Sequence, residues 1–91
     1  MKVFGCPRME SYSGGIILVA ANSIEEAYQV AIKELDYYFD WKDANGKRVK
    51  RFTPDAKITS DAYPFEEWRE YKHLSCDYIE PQVILEESYI E

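Results

Sequence analysis

Cysteine is scarce in this chain, and histidine scarcer. The 91 residues hold two cysteines, Cys6 and Cys76, and one histidine, His73. No CxxC pair occurs, whereas a small secreted domain normally carries a denser, even-numbered disulfide framework. Both thiols are therefore expected to be reduced and the protein to reside in the cytoplasm; a Cys6–Cys76 bridge would require the fold to bring the chain ends together. Any Ser-His or Cys-His pair must use His73, and no nucleophile-elbow pattern accompanies it. A zinc site would have to recruit Cys6, His73, Cys76 and Asp77, without the second local ligand pair that structural zinc favours. The longest apolar run, Ile16 to Ala21, has six residues. A bilayer span needs about 20 and a signal-peptide core about 7–15. The four glycines fall into neither a P-loop nor a dinucleotide-binding pattern. These absences argue against a membrane protein, a cofactor or metal, and an enzyme.

What is present is aromatic and charged. Aromatic residues make up 15% of the chain, eight of them tyrosine, which is high for a chain that stays unfolded. The length suits a single compact domain over residues 1–91, able to bury somewhat over ~60% of its unfolded surface. The formal charge is −6, which opposes a general coat on nucleic acid or on an anionic membrane surface. Its distribution is uneven: residues 1–41 carry −3, residues 42–57 carry +4 and residues 58–91 carry −7. A basic island thus precedes a strongly acidic C-terminal third.

The clearest local signal is a strand leading into a helix. Ile16-Ile17-Leu18-Val19-Ala20-Ala21 is continuous and rich in β-branched residues, as in a buried strand, with Gly14-Gly15 as the turn before it. Ser23-Ile24-Glu25-Glu26 is an S-x-x-E capping box, with both acids at the positive end of the helix dipole. Ile24, Tyr28, Ala31, Leu35 and Tyr38 then form one apolar stripe, widened by Ala27 and Ile32, while Glu25, Gln29 and Lys33 should face water. The expected fold is α+β: an antiparallel sheet of three to five strands with one main helix, about 24–37, packed on one face. Strands are expected at about 2–6, 15–21, 47–52 and 82–86, the last continuing toward Ile90. Residues 37–41 fit either the end of the helix or the start of a strand, and Asn45-Gly46 signals a hairpin turn. Pro64-Phe65-Glu66-Glu67 reads as one short helical turn.

Two surfaces are candidates for binding. In the acidic third, Tyr63, Trp68, Tyr71 and Tyr78 lie among Glu66, Glu67 and Glu70. Such a surface suits a basic protein partner, because charge steers encounter while aromatic anchors supply affinity. The plainer reading is a small domain finishing a thin core with tyrosine. The other candidate is the segment 37–52, where Trp41 adjoins Lys47, Arg48, Lys50 and Arg51. Aromatics on one strand face can stack bases while the cations meet phosphates. Here the plainer reading is core aromatics beside a solvated hairpin. The adjacent pairs Glu25/Glu26, Glu66/Glu67 and Glu86/Glu87 point in divergent directions and do not form an acid–base dyad by themselves.

Tyr12 to Ala27 (YSGGIILVAANSIEEA) and Glu80 to Glu91 (EPQVILEESYIE), 28 of the 91 residues, resemble small uncharacterised α+β proteins of bacterial, phage and prophage genomes. The resemblance implies an accessory role exercised by binding a host or phage protein; no site residue comes with it. The reading is a non-enzymatic protein-binding module using the acidic, tyrosine-rich third. The alternative is a nucleic-acid-binding protein using the basic aromatic hairpin. A last strand at a sheet edge would also permit a homodimer or a strand-addition partner.

Overall fold

The computed structural model describes residues 1–9 and 13–90, with the backbone alone for residue 13 and residues 88–90. Among the described residues six strands and one α-helix follow in the order β1 (Lys2–Pro7), β2 (Ser13–Ala21), α1 (Ile24–Glu34), β3 (Asp40–Lys42), β4 (Lys57–Thr59), β5 (Arg69–Glu70) and β6 (Gln82–Ile90). Single 3₁₀ turns stand at Asp36–Tyr38 and Phe65–Glu67. Four strands form an antiparallel sheet in the order β5-β1-β2-β6, and β3 pairs with β4 in a second, two-stranded sheet. The chain is therefore α+β, and no described helix is long and apolar enough to cross a membrane.

The central strand is built by alternation. Phe4 pairs with Val19 and Cys6 with Ile17. These four, with Ala21, turn to the helix side, where Ala27, Tyr28, Ala31 and Ile32 of α1 complete the buried core. Burying each large aliphatic or aromatic side chain there contributes roughly 1.5–3 kcal/mol. The opposite face carries Val3, Gly5, Ile16, Leu18 and Ala20, and the irregular segment 71–79 lies against part of it. Gly5 is required by β2 and that segment together: a β-carbon there would strike the Ile17 carbonyl and sit 2.8 Å from Leu18 Cδ2 and 3.0 Å from the Tyr71 ring.

The capping box forms with one shift. Ser23 Oγ accepts from Glu26 N–H at 3.2 Å, while Glu26 reaches one residue beyond the cap and accepts from Asn22 N–H at 2.8 Å. The helix ends at Glu34, three residues before the expected Tyr37. Leu35 N–H makes the last bond, to Ala31, and the 3₁₀ turn at Asp36–Tyr38 then redirects the chain so that Phe39 enters the core. Residues 37–41 are thus turn first and strand second.

Three further expectations are corrected. Gly14 and Gly15 lie inside β2, not in a turn before it. Residues 47–52 form no strand: the only pairing there is the bridge Lys42–Arg48, and Phe52 has φ +63°, which breaks an extended run. The strand that pairs with β3 is Lys57–Thr59, in a stretch that reads as irregular and polar. The Asn-Gly turn does form, organised by Asp43 Oδ1, which accepts from Asn45 and Lys47 N–H at 2.9 Å each, with Gly46 at φ +80°. β6 reaches Ile90 and occupies a sheet edge.

Candidate functional site

A groove of about 410 Å³ opens between α1, β4 and the Phe65–Glu67 turn, lined by Glu25, Tyr28, Gln29, Lys57, Ile58, Phe65 and Glu66. Its position follows from helix geometry. Glu25 and Tyr28 are three residues apart and Gln29 is four from Glu25, so all three share one surface strip. Tyr28 is the pivot. Its ring meets Phe39 at 5.5 Å, Phe65 at 4.8 Å and Trp68 at 5.7 Å, each edge to face. Such pairs add roughly 0.5–1.5 kcal/mol each beyond area burial. The arrangement fixes Phe65 beside the groove while leaving the residue 39% exposed. A smaller lobe of about 160 Å³ continues past Ser60 and Pro64 and shares Tyr28, Ile58, Phe65 and Glu66.

The groove combines an apolar floor with a charged rim. Tyr28, Ile58 and Phe65 form the floor; Glu25 and Glu66 are exposed, and Lys57 is the one cation among the lining residues. Burial, reinforced by the Glu66 charge and then by Cys6, pushes the Tyr28 phenol up to about 12. At neutral pH it is a neutral hydrogen-bond donor with no nucleophilic character. The arrangement can hold an aliphatic stem against rings and set a cation near carboxylates.

The residues expected to form a protein-binding surface do not all meet. Tyr63 is fully buried and Trp68 nearly so; both belong to the core and are corrected from surface anchors to packing residues. Each satisfies its polar atom: Tyr63 OH donates to Glu86 Oε1 at 3.0 Å, and Trp68 Nε1–H donates to the Tyr63 carbonyl at 3.0 Å. The 3₁₀ turn at Phe65–Glu67 carries the exposed Phe65 and Glu66 outward, and the rings on either side of it return to the core. Glu66 joins the groove, whereas Glu67 sits 4.0 Å from Arg69 Nη2 and Glu70 is half-buried in β5. Tyr71 and Tyr78 lie on the other side of the sheet. Tyr78 lines a second hollow of about 500 Å³ with Val3, Leu18, Leu74, Cys76 and Ile84.

The basic segment is placed differently. Arg48 is 2.8 Å from Asp40 and Arg51 is 2.6 Å from Asp36, so two of its cations pair within the chain. The Arg51 guanidinium also stacks on Phe52 at 4.7 Å, and Trp41 packs on Phe52 at 5.2 Å. Lys47 and Lys50 are exposed. Phe39, which would have to share a face with Trp41 to stack bases, is in the core. A hollow of about 240 Å³ here is lined by Asp36 and Asp40 as well as by the arginines, which does not favour phosphate.

Both cysteines are free thiols. Cys6 is fully buried, and burial pushes its thiol up to about 12. Cys76 lies against Met1, whose terminal amine donates to the Cys76 carbonyl at 3.1 Å. His73 is exposed and in ring contact with Tyr71; no hydrogen bond joins it to Cys76 among the described residues. No group of three or more His, Cys, Asp or Glu side chains there is placed to hold a metal ion. Sequence reasoning missed Glu25, Tyr28, Ile58 and Phe65 as site residues. The available signal was the one-turn spacing of Glu25 and Gln29 around Tyr28, which reads equally as an amphipathic helix. No protein-family model, curated protein or solved structure matches the chain.

Proposed function

We propose that the protein is a non-enzymatic binding module that takes a basic side chain of a partner protein into the groove between α1 and the Phe65–Glu67 turn. The observation that carries this reading is the pairing of an exposed Phe65 and the Tyr28 ring with the carboxylates of Glu25 and Glu66 around one hollow. An arginine or lysine stem would lie on the rings and its cation between the acids, where aromatic anchors supply affinity and charge supplies rate. The excess of acid over base in residues 58–91 steers such a partner from a distance. The sequence resemblance to phage and prophage proteins fits an accessory factor that works by occupying a host or phage protein.

The test is an NMR titration with a tetra-arginine peptide at low and physiological salt. Shifts should concentrate at Glu25, Tyr28, Phe65 and Glu66, and the Glu25→Lys/Glu66→Lys double variant should weaken binding about tenfold or more. The Glu67→Lys/Glu70→Lys variant changes net charge equally but lies outside the groove lining, so it should cost much less. Equal losses in the two variants, or shifts scattered over the acidic surface, would reject the groove.

A further inference from the structure

β6 is nine residues long and ends the sheet, with β2 as its one neighbour among the described residues. The register determines which of its backbone groups face out. Gly15 C=O accepts from Arg8 N–H at 3.0 Å, so Gly15 turns its backbone toward the β1 side. Neighbouring residues of a strand face opposite neighbours. Gly14, Ile16 and Leu18 therefore face β6, and their partners Tyr89, Glu87 and Leu85 face back. The intervening Glu86, Ser88 and Ile90 turn N–H and C=O to the outer edge. Past the irregularity between Leu18 and Val19, Val83 does the same, and its N–H donates outward to Glu34 Oε2 at 3.2 Å. One end of the edge is thus closed by a side chain of α1, and that carboxylate sits where the carbonyl of an added strand would sit.

The sequence sets the sign of what can pair there. Between His73 and Glu91 there is no lysine or arginine, while Asp77, Glu80, Glu86, Glu87 and Glu91 are all acidic. A second copy would bring two strands of like net charge together, which opposes their association. A basic strand gains both the backbone bonds and the charge match. We infer that the outer edge of β6, over residues 86–90, is a strand-addition site for an extended, lysine- or arginine-bearing segment of another protein. Backbone pairing supplies the contact and the acidic strand selects the partner. This surface is separate from the groove, and neither reading depends on the other.

The probe is a capped, fluorescent octapeptide of alternating lysine and valine, followed by anisotropy and by residue-resolved amide hydrogen exchange. It should bind with steep salt dependence and slow exchange at Glu86, Ser88 and Ile90 by about tenfold or more. Ser88→Pro removes one outward donor without touching a bond to β2, and should weaken binding about tenfold. The same peptide N-methylated at alternate residues leaves the protein unaltered and should fail in at least one of its two registers. Equal binding by a glutamate–valine peptide or by both N-methylated registers overturns the inference, as does binding that leaves those three amides unprotected. Protection that appears without peptide, together with a dimer mass, assigns the edge to a second copy instead. The Glu25→Lys/Glu66→Lys variant should keep the protection at residues 86–90, so failure of the groove is distinguishable from failure of the edge.

Discussion

The groove at Tyr28 and the loop at Trp41 use the same materials, aromatic rings beside charges, to opposite ends. At Tyr28 the ring is buried by three edge-to-face neighbours, and the carboxylates of Glu25 and Glu66 stand exposed at the rim. At Trp41 the ring is half-buried against Phe52, and the nearby arginines are matched by Asp36 and Asp40. A local excess of charge therefore does not identify a binding surface; the partner of each charge does. Of Lys47, Arg48, Lys50 and Arg51, the loop that looks basic in sequence matches two internally, Arg48 and Arg51, where Asp40 and Asp36, eight and fifteen positions earlier, fold back onto them.

The largest difference should appear in stability. Tyr28→Ala removes a ring around which Phe39, Phe65 and Trp68 are arranged, and should cost about 3–5 kcal/mol, as buried aromatic truncations do. Trp41→Ala loses a half-exposed pair and should cost about 1 kcal/mol. Urea denaturation of both variants makes the comparison. Similar costs would mean that the two aromatic clusters are equally integral to the fold.

Alkaline titration gives the next largest effect. The Tyr28 phenol is raised from 10.0 to about 12 and the Cys6 thiol from 9.0 to about 12, burial being the leading cause for both. Between those limits the unfolded chain has released protons that the folded chain retains. Their contribution to stability is thus complete below pH 9 and is lost as pH rises toward 12. Each unit of displacement is worth about 1.4 kcal/mol. Tyr28→Phe keeps the ring and removes the titrating group, so its stability should fall less steeply between pH 10 and 12 than that of the parent. An unchanged slope would mean that the phenol is solvated after all.

How much of this was legible depends on range. The run Ile16–Ala21, the Ser23 cap and the Tyr28–Ala31 stripe are local patterns, and each appears where the sequence puts it. The strand expected at 47–52 fails because Val49 and Phe52 are its only apolar residues, its pairing with β3 stops at the Lys42–Arg48 bridge, and the positive φ of Phe52 turns the chain away. Conversely, Lys57–Thr59 becomes a strand because β3 supplies a partner, which three residues alone cannot announce. Tyr63 and Trp68 look like surface residues beside so many acids, yet the Tyr63 hydroxyl finds its partner in Glu86, 23 positions away and invisible to a local reading, and the Trp68 indole closes back on the Tyr63 carbonyl five residues before it. The groove was hidden for the same reason: α1, β4 and the Phe65–Glu67 turn meet only in the folded chain.

The smallest effect on stability, and the sharpest test of the comparison, comes from the loop's own acids. Asp36→Asn with Asp40→Asn leaves Arg51 and Arg48 without their carboxylates, and exposed ion pairs of this kind are worth about 0–1 kcal/mol. The fold should therefore persist while the net charge of the loop rises by two. If internal pairing is what keeps Arg48 and Arg51 from phosphate, the double variant should bind a labelled single-stranded oligonucleotide more tightly than the parent does. Its log-affinity should also fall more steeply with log salt, by about 0.7 for each added phosphate contact. Lys47 and Lys50 are exposed in both proteins and set the common baseline. Parent protein that already binds as tightly, with the same salt slope, would restore the loop as a nucleic-acid surface and show that Asp36 and Asp40 yield their arginines readily to phosphate.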